Sequence, residues 1–371
     1  MGSASVPPVS IVNHDFWSGK RVLVTGHTGF KGAWLSLWLQ AAGAQVAGLS
    51  RGVPTKPSLY DSAEVGPGMA SESVGDVRDL AAVEAAFAAA RPEVVVHMAA
   101  QPLVRRSYAE PVETYATNVM GTVHVLDAAR RSDETRVVLV VTSDKCYENR
   151  EWEWGYREYE PMGGHDPYSN SKGCAELVTA AYRKSFFGGA AGNVASARSG
   201  NVIGGGDWAE DRLIPDLLRG AMEGRTVVVR NAAAVRPWQH VLNPLSGYLA
   251  LAERLWDSED FAQAWNFGPA DADARAVDWI ASRLADRWGP GLRWEEQRDE
   301  AAPHEATYLK LDSSKARTRL GWHPPWNLET GLGAIVDWFR SFVEGEGMRE
   351  VSLRQIEAFE AGSRAAPTTV R

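Results

Sequence analysis

The segment that decides the fold is RVLVTGHTGFKGAWLSLWLQ, residues Arg21–Gln40. Its apolar start, Arg21–Gly26, predicts a β-strand that breaks at glycine. Three glycines and then a set of apolar residues at helical spacing follow: Gly26, Gly29, Gly32, Trp34, Leu35, Trp38 and Leu39. A glycine turn that leads into a helix N-terminus suits a pyrophosphate, because backbone N–H groups can approach the anion closely. The segment therefore predicts a dinucleotide-binding turn.

Strands and helices continue to alternate outward from this segment. Further strands are predicted at Gln45–Ser50, within SVGDVRD (residues 73–79), and over Glu93–Gln101, Arg136–Ser143 and Asn193–Val202. Helices are predicted over Leu80–Pro92, Pro111–Arg131 and Asp166–Phe187, the last with Asp166 as N-cap. This alternation predicts an α/β fold, a Rossmann-type doubly wound parallel sheet with helices on both faces.

The pattern loosens from about Gly200, which indicates a second structural unit. We expect residues 16–200 to form the dinucleotide-binding domain, with a returning segment near 227–265. Residues 201–350 are expected to form mainly a smaller, interleaved C-terminal substrate-binding lobe, with a helix near Ile214–Met222 and one final helix. Residues 1–15 and 360–371 are expected to be flexible.

Composition narrows the class of function. The 371 residues are 44% hydrophobic and 23% charged, with a net charge of −8 and no long basic block, which argues against nucleic acid or an anionic membrane as a partner. Two cysteines, Cys146 and Cys174, do not make a disulfide framework, so a reducing cytoplasm is expected. We find neither a signal sequence nor an apolar run long enough to span a membrane.

The glycine turn predicts a nicotinamide dinucleotide as cofactor. Its G-x-x-G-x-x-G spacing is typical of short-chain dehydrogenases. The acid that usually binds the adenine ribose is absent, because strand two ends in Leu49-Ser50-Arg51. NAD is the expected cofactor, but Arg51 and Lys31 could accommodate a 2′-phosphate, so NADP stays open. Asp76 is either a contact of the adenine amine or a helix N-cap.

A Tyr-Lys pair marks the expected hydride-transfer site. Tyr168 and Lys172 are four residues apart near a helix start, which places both on one face. We expect the ammonium to lower the phenol pKa, so that Tyr168 can act as a base. Ser143, at the end of the preceding strand, completes a Ser/Tyr/Lys set. Asn118 fits the remaining polar position and is also interpreted as a structural, helix-bending residue, and the two interpretations are compatible.

The glycine turn and the Ser/Tyr/Lys set resemble the extended short-chain dehydrogenase/reductase family. Longer segments narrow the resemblance to its sugar-nucleotide 4,6-dehydratases: VLVTGHTGFKGAWLSLWL, HMAAQPLVRRSY, TSDKCYENREWEWGYRE, EPMGGHDPYSNSKGCAEL, SARSGNVIGGGDWAEDRLIPD and VRPWQHVLNPLSGYL. The resemblance covers Phe16 to about Trp338. It implies a hydro-lyase that oxidises a sugar at C4 with NAD+, eliminates water across C5 and C6, and returns the hydride to C6.

Asp144 and Lys145 follow Ser143 and supply an acid and a base beyond the dehydrogenase set. By resemblance, Asp144 protonates the departing C6 hydroxyl and Lys145 removes the C5 proton. We expect their tips to face different parts of the sugar. Related dTDP-glucose enzymes carry Asp-Glu here and CDP-glucose enzymes carry Asp-Lys, so the resemblance implies CDP-glucose and the product CDP-4-keto-6-deoxyglucose. The alternatives are a dehydratase or C4-epimerase for another nucleotide sugar, or an idle dinucleotide-binding regulator.

The remaining candidate site residues are taken from the glycine turn and its neighbours and, by resemblance, from positions that bind ligands in the family. The cofactor candidates are Gly26, His27, Thr28, Gly29, Phe30, Lys31, Gly32, Ser50, Arg51, Asp76, Val77, Ala99, Ala100, Gln101, Asn118, Tyr168 and Lys172. The substrate candidates are Gln101, Ser143, Asn201, Arg212, Leu213, Pro215, Arg236 and His304, with Glu305 as a further contact. Trp238 is either a contact of the nucleotide base or a core residue.

Three further expectations concern two arginines, metal binding and the oligomeric state. Whether Arg105 and Arg106 face a ligand or solvent stays open. No metal is expected, because no Cys/His/acid set has metal spacing. By resemblance, Pro111–Arg131 and Asp166–Phe187 pair across a homodimer, or within a tetramer.

Overall fold

A large parallel sheet organises the chain, of which the computed structural model describes residues 12–297 and 308–364. The strands are β1 (Arg21–Thr25), β2 (Gln45–Ser50), β3 (Ser71–Val74), β4 (Val94–His97), β5 (Val137–Val141), β6 (Asn193–Arg198), β7 (Val202–Ile203), β8 (Thr226–Val229), β9 (Val235–Pro237), β10 (Gln239–His240), β11 (Ala264–Asn266), β12 (Ala274–Ala276) and β13 (Arg293–Glu296). Seven of them form the large sheet in the order β11-β6-β5-β4-β1-β2-β3, with all neighbours parallel. The predicted doubly wound fold is confirmed.

The strand order of this sheet creates a binding crevice. The chain runs outward from β1 through β2 to β3 and then returns to place β4 on the other side of β1. In a doubly wound sheet, ligands bind outside the carboxyl ends of the strands where the order reverses. In β1, Val24 pairs with Gly48 on one side and with Val96 on the other, so the glycine turn after β1 lies at this crevice.

Helices cover both faces of the sheet. They are α1 (His14–Trp17), α2 (Phe30–Ala41), α3 (Leu59–Ser62), α4 (Leu80–Ala90), α5 (Val104–Ala109), α6 (Pro111–Tyr115), α7 (Gly121–Arg130), α8 (Pro167–Phe186), α9 (Leu213–Met222), α10 (Leu242–Asp257), α11 (Val277–Trp288), α12 (Leu328–Val343) and α13 (Met348–Arg364). Two π-helical turns occur, Ala116–Met120 and Ala316–Leu320. The first joins α6 to α7, so the predicted helix Pro111–Arg131 is continuous but wider at its centre.

The core divides into two layers because successive strand residues point to opposite faces. On one face, Val22 and Val24 of β1 belong to the same buried cluster as Trp34 and Trp38 of α2. On the other face, Leu23 belongs to a cluster formed with α4 and α7. Both layers fix the strand ends, and these ends carry the polar residues of the site.

The smaller lobe is built from short paired strands and two helices. Strand β8 pairs with β13 in parallel, and β9 pairs with β12 in antiparallel fashion. Helix α9 packs on β8 and α11. The chain returns to the large sheet with α10, which packs on β5 and β6, and with β11, which pairs with β6.

The C-terminal part differs from the prediction of one final helix, because α13 follows α12. Helix α13 runs to Arg364, past residue 360, from which a flexible end was expected. Its ordering has a clear cause, since the Glu360 carboxylate accepts a hydrogen bond of 2.7 Å from Trp38 Nε1 and lies 3.1 Å from His14 Nε2. Near the other end, Val12 is already buried. Within residues 12–297 and 308–364, no helix is both long and apolar enough to cross a bilayer.

Candidate active site

A deep cavity of about 1830 Å³ opens at the carboxyl ends of the large sheet. Its walls come from the glycine turn after β1, the segments after β4, β5 and β6, and the first turns of α8 and α9. The two lobes therefore share one cavity. In the parts of the chain that the structure describes, no cluster of metal-ligating side chains is present.

The glycine turn fits a pyrophosphate. Gly26 has φ +74°, and a Cβ there would lie 2.9 Å from the Ala99 backbone. A Cβ on Gly32 would overlap the carbonyl oxygen of Gly26, so neither position accepts a side chain. Gly29 is the N-cap of α2 and has no side chain with which to cap the helix. The first N–H groups and the positive end of the helix dipole are thus left for an anionic ligand.

The neighbours of this turn have structural roles of their own. His27 is buried, and its ring fills the space over Gly48, with Nε2 2.8 Å from Glu72 Oε1. The Thr28 hydroxyl donates to the Gly52 carbonyl at 2.7 Å. The cavity wall here is formed by other predicted cofactor residues: Phe30, Ser50, Val77, Ala99 and Ala100.

Arg51 and Asp76 lie together at the expected adenosine end. Arg51 Nη1 is 3.6 Å from Asp76 Oδ2 and 3.1 Å from Glu113 Oε1. Asp76 also accepts from the Arg78 guanidinium at 2.7 Å. The N-cap of α4 is Asp79 and not Asp76, so the helix-capping interpretation of Asp76 is wrong.

The Ser/Tyr/Lys set is assembled at the end of β5. Tyr168 and Lys172 lie in the first turns of α8, which Asp166 caps by accepting from Ser169 N, as predicted. Lys172 Nζ donates to the Val141 carbonyl at 3.3 Å. Burial and then the Lys31 ammonium lower the pKa of Lys172 to about 8.

The expected lowering of the Tyr168 pKa is not found. Burial raises the pKa of this phenol to about 12, although its hydrogen bond to Ser143 opposes the rise. The reason is that desolvation of the phenolate outweighs the nearby positive charge. Tyr168 therefore needs further positive charge in the cavity before it can act as a base.

Asp144 and Lys145 form a short 3₁₀ turn directly after this set. The Asp144 carboxylate is buried, and Oδ1 accepts from the Ser143 hydroxyl at 2.9 Å. Asp144 Oδ2 is also buried, and no hydrogen-bond partner for it lies among the described residues. Lys145 is partly buried and lines the cavity. The described side chains include no ion pair between the two, consistent with tips that face different parts of a substrate.

Gln101 and Asn118 hold the loop after β4. Asn118 Oδ1 accepts from Gln101 N at 2.8 Å, and its Nδ2 donates to Ser171 Oγ at 2.8 Å. The Gln101 amide donates to Thr114 Oγ1 at 3.0 Å and accepts from Leu103 N at 2.7 Å. The structural interpretation of Asn118 is therefore supported, because its side chain joins this loop to α8.

Lys31 lies far from the adenosine end. Its Nζ donates to Ser199 Oγ and Tyr248 Oη, each at 3.0 Å. Ser199 directly follows β6, whereas Arg51 directly follows β2, four strands or about 19 Å away. The interpretation of Lys31 as a contact of a 2′-phosphate is therefore wrong, because its ammonium is fixed on the Tyr168 side of the cavity.

Most of the predicted substrate residues lie after β6, whereas Gln101 and Ser143 lie in the segments after β4 and β5. Arg212 Nη1 forms an ion pair of 2.8 Å with Asp207 Oδ2 just before α9 begins at Leu213. Arg236 is buried and donates to the Val235 carbonyl at 3.1 Å. The remaining residues that line the cavity are Asn201, at φ +45°, and Pro215 of α9.

The structure also bears on the predictions made for Trp238, for the two arginines and for the late segment with His304 and Glu305. Trp238 is buried and donates to the Arg275 carbonyl at 2.9 Å, which favours a core role. Both Arg105 and Arg106 line the cavity, and Arg106 also pairs with Glu110 at 2.7 Å. His304 and Glu305 lie outside the described residues.

Two groups behind the site were missed by the sequence reasoning. The buried Glu176 carboxylate accepts from Arg198 Nη2 and Ser196 Oγ at 2.7 Å each and from Thr142 Oγ1 at 2.5 Å. Glu176 follows Lys172 by four residues on the same face of α8, and that spacing was the available signal. Gly200 was the second, because a Cβ there would overlap the Asp144 carboxylate.

The structure places the glycine turn at the sheet crevice, with the Tyr-Lys pair and an adjoining acid in the same cavity. This combination defines a dinucleotide-dependent enzyme. The chain belongs to the NAD dependent epimerase/dehydratase family, whose model matches residues 22–266. This membership confirms the prediction of the family and of NAD as cofactor.

Comparison with individual proteins shows which members of this family the chain is similar to. The chain is 53% identical to the CDP-glucose 4,6-dehydratase of Salmonella typhimurium, over 94% of this chain and 98% of that protein. It is 27% identical to a dTDP-glucose 4,6-dehydratase of Streptomyces antibioticus, over 72% and 75% of the two chains. Among solved structures, the Thermus thermophilus UDP-glucose 4-epimerase complex with NAD superposes with a TM-score of 0.75 at 25% identity, over 86% of this chain and 99% of that one.

Proposed function

We propose that the chain is a CDP-glucose 4,6-dehydratase, which converts CDP-glucose to CDP-4-keto-6-deoxyglucose. The observation that carries this proposal is the position of Asp144 and Lys145, in the same cavity as Tyr168 and Lys172. Oxidation and reduction at a sugar carbon need only the second pair. An elimination needs an additional acid and an additional base, and these are the two residues that the turn after β5 supplies. The 53% identity to the Salmonella typhimurium enzyme supports the choice of nucleotide.

We assign oxidation at C4 to the Ser/Tyr/Lys set. Bound NAD+ supplies the hydride acceptor and, later, the hydride donor. Tyr168 takes the proton of the C4 hydroxyl, and the Ser143 hydroxyl lies within hydrogen-bonding reach of both that phenol and Asp144. Arg212 provides positive charge that acts on Tyr168 and favours the phenolate when the proton is abstracted, and Lys172 lies one helical turn further along α8.

We assign the elimination of water to Asp144 and Lys145. The C4 ketone acidifies the C5 proton, which Lys145 accepts as a neutral amine. Asp144 donates a proton to the C6 hydroxyl, which departs as water, and the electrons of the C5–H bond form the C5–C6 double bond. Hydride then adds to C6, and the Lys145 ammonium, whose protons exchange with solvent, delivers a proton to C5. Asp144 Oδ2 suits the donor role, since this buried oxygen has no partner among the described residues.

The protein is proposed to act as a homodimer in the cytoplasm. Helices α6 and α8 and the π turn expose a set of large apolar side chains that would be costly to leave in water: Val112, Tyr115, Met120, Leu177 and Phe186. A second copy of the same helices would cover this face by two-fold symmetry. Both cysteines are free, which fits a reducing compartment.

The nucleotide is tested by a substrate panel. Purified protein is incubated with CDP-, dTDP-, UDP- and GDP-glucose, and loss of one water from the sugar is followed by mass spectrometry. Turnover of CDP-glucose with at least tenfold lower kcat/KM for the other three is expected, a difference of about 1.4 kcal/mol or more. Equal turnover of another nucleotide would move the proposal to that substrate, and no turnover of any would reject it.

The role of Lys145 is tested separately in Lys145→Ala. This variant should still form NADH on addition of CDP-glucose, because the Ser/Tyr/Lys set is intact. It should fail to exchange the C5 proton with deuterated water. Exchange at the wild-type rate would place the base elsewhere in the cavity.

A further inference from the structure

The side chain of Lys31 connects the pyrophosphate turn to the catalytic end of the cavity. Lys31 lies in the first turn of α2, within the glycine segment. Its ammonium is held at two points, by Ser199 Oγ after β6 and by Tyr248 Oη of α10, both at 3.0 Å. The two hydroxyls are also bonded to each other at 2.6 Å. The position of the ammonium is therefore fixed by three elements of the fold.

The partners that hold this ammonium carry no charge. Among the described residues Lys31 forms no ion pair, and both hydrogen bonds go to hydroxyl groups. The charged groups that act on it are Asp144 from the turn after β5, Arg212 before α9 and Lys172 of α8. Two of these three are cations, and one of them, Arg212, is already paired with Asp207 at 2.8 Å.

The ammonium lies beside the hydride-transfer site. Asp144 N donates to the Ser199 carbonyl at 3.4 Å, so Ser199 is next to the turn that carries the catalytic acid. The Lys31 charge also lowers the pKa of Lys172, which requires that the two ammonium groups be close. A dinucleotide that binds its pyrophosphate at Gly26–Gly32 and presents its nicotinamide to Tyr168 must bring the nicotinamide near Lys31.

We propose that the Lys31 ammonium is a positive charge held in a fixed position beside the nicotinamide, and that it favours binding of NADH over NAD+. The nicotinamide ring carries one positive charge when oxidised and none when reduced, so a nearby cation repels the oxidised ring selectively. In the proposed dehydratase the hydride has to remain on the cofactor while water is eliminated. A bias toward the reduced form lengthens that interval and makes early return of the hydride to C4 less favourable.

The charge on Lys31 depends on pH in the neutral range. Burial, and then Arg212, lower the pKa of Lys31 to about 7 against the opposing effect of Asp144. The positive charge is thus present below about pH 7 and lost above it. Lys172 is the other nearby amine and titrates at about 8, while Tyr248 and Tyr168 stay neutral because burial raises the pKa of both phenols.

The test compares the dissociation constants of NAD+ and NADH for protein freed of bound nucleotide. NADH is titrated by its fluorescence and NAD+ by displacement of NADH, at pH 6 and pH 9. In Lys31→Met the ratio Kd(NAD+)/Kd(NADH) should fall about tenfold at pH 6, which corresponds to about 1.4 kcal/mol. At pH 9 the wild-type and Lys31→Met ratios should agree within about twofold, because Lys31 is then neutral.

Two variants separate charge from structure. Tyr248→Phe removes one of the two hydrogen bonds of the ammonium, together with the bond to Ser199, but keeps the charge, so it should retain most of the wild-type ratio at pH 6. Lys31→Arg keeps its charge at both pH values, so at pH 9 its ratio should stay above the ratios of the wild type and of Lys31→Met. An unchanged ratio in Lys31→Met, or equal weakening of NAD+ and NADH, would overturn the proposal. Since no sugar nucleotide is used, this outcome is independent of the substrate panel.

Discussion

The Asp144 carboxylate lies directly against the α-carbon of Gly200, with no space for a side chain between them. Gly200 follows Ser199 at the end of β6, and Asp144 follows Ser143 after the neighbouring strand β5. The Asp144 carboxylate, the proposed acid, is therefore positioned by the register of two adjacent parallel strands.

Replacement of this glycine should separate elimination from oxidation. Gly200→Ala is expected to displace the Asp144 carboxylate and reduce the rate of water loss about 100-fold, because small misplacements of a reacting group are costly. NADH formation on addition of CDP-glucose should persist, since Tyr168 and Lys172 belong to another element. The two steps are followed by mass spectrometry and by NADH absorbance.

Gly333→Ala is the matched control for that substitution. Gly333 is in α12, where a Cβ would meet the flexible end of Arg287 at 3.2 Å. It should leave both steps unchanged. If Gly200→Ala eliminates water as fast as the wild type, the carboxylate is not positioned by this contact.

The ion pair behind the site should dominate the stability of α8. Glu176→Ala leaves the Arg198 guanidinium buried with its main partner removed, which is expected to cost about 3–5 kcal/mol of unfolding free energy. Urea unfolding followed by circular dichroism measures the change. Glu84→Ala removes an exposed partner of Arg131 and should leave the midpoint nearly unchanged. A loss below about 1 kcal/mol in Glu176→Ala would show that the pair is replaceable.

Glu253 should make stability depend on pH. Burial raises its pKa to about 7 from 4.5, although hydrogen bonds from Asn13 N and Trp17 Nε1 oppose the rise. The folded protein then binds one more proton than the unfolded chain between these values, so stability falls as pH rises from about 4.5 to 7. The change is at most about 3 kcal/mol.

Glu253→Gln tests this dependence directly. The amide oxygen can accept both hydrogen bonds but does not titrate in this range. Its unfolding free energy, measured in urea from pH 5 to pH 8, should fall less steeply than that of the wild type. Parallel pH profiles for the two proteins would exclude Glu253 as the titrating group.

The apolar face on α8 should mediate dimer formation. Leu177 is 60% exposed there, and Leu177→Glu is expected to shift the protein to a monomer in sedimentation velocity runs. A charge buried at the centre of a two-fold interface meets its own symmetry copy and is strongly unfavourable. Val74→Glu, on the edge strand β3 and 88% exposed, is the control and should leave the mass unchanged. A dimeric Leu177→Glu would place the interface elsewhere.

The fold and the polar residues of the site were accessible from the sequence for local reasons. The glycine turn, the Asp166 cap and the Tyr168–Lys172 spacing each depend on residues close in the chain. Their element types determine the sheet, because alternating strands and helices have few stable arrangements. The Ser143–Lys145 segment could be placed because it directly follows a buried strand.

The remaining features depend on contacts between distant residues. Lys31 reaches Ser199 and Tyr248 only because α2, β6 and α10 converge, and nothing near residue 31 indicates that convergence. The raised pKa of Tyr168 reflects burial, which the neighbouring lysine in the sequence gave no sign of. The extent of α13 likewise depends on Glu360 meeting Trp38, more than 300 residues away.

The most direct test of the central claim is the fate of the C4 hydrogen. CDP-glucose carrying deuterium at C4 is incubated with the protein in ordinary water, and the product is examined by NMR. A dehydratase with this site should return the deuterium to C6 of a 4-keto-6-deoxy product, with a solvent proton at C5. Deuterium lost to solvent, or retained at C4 of an unchanged or epimerised sugar, would contradict the account.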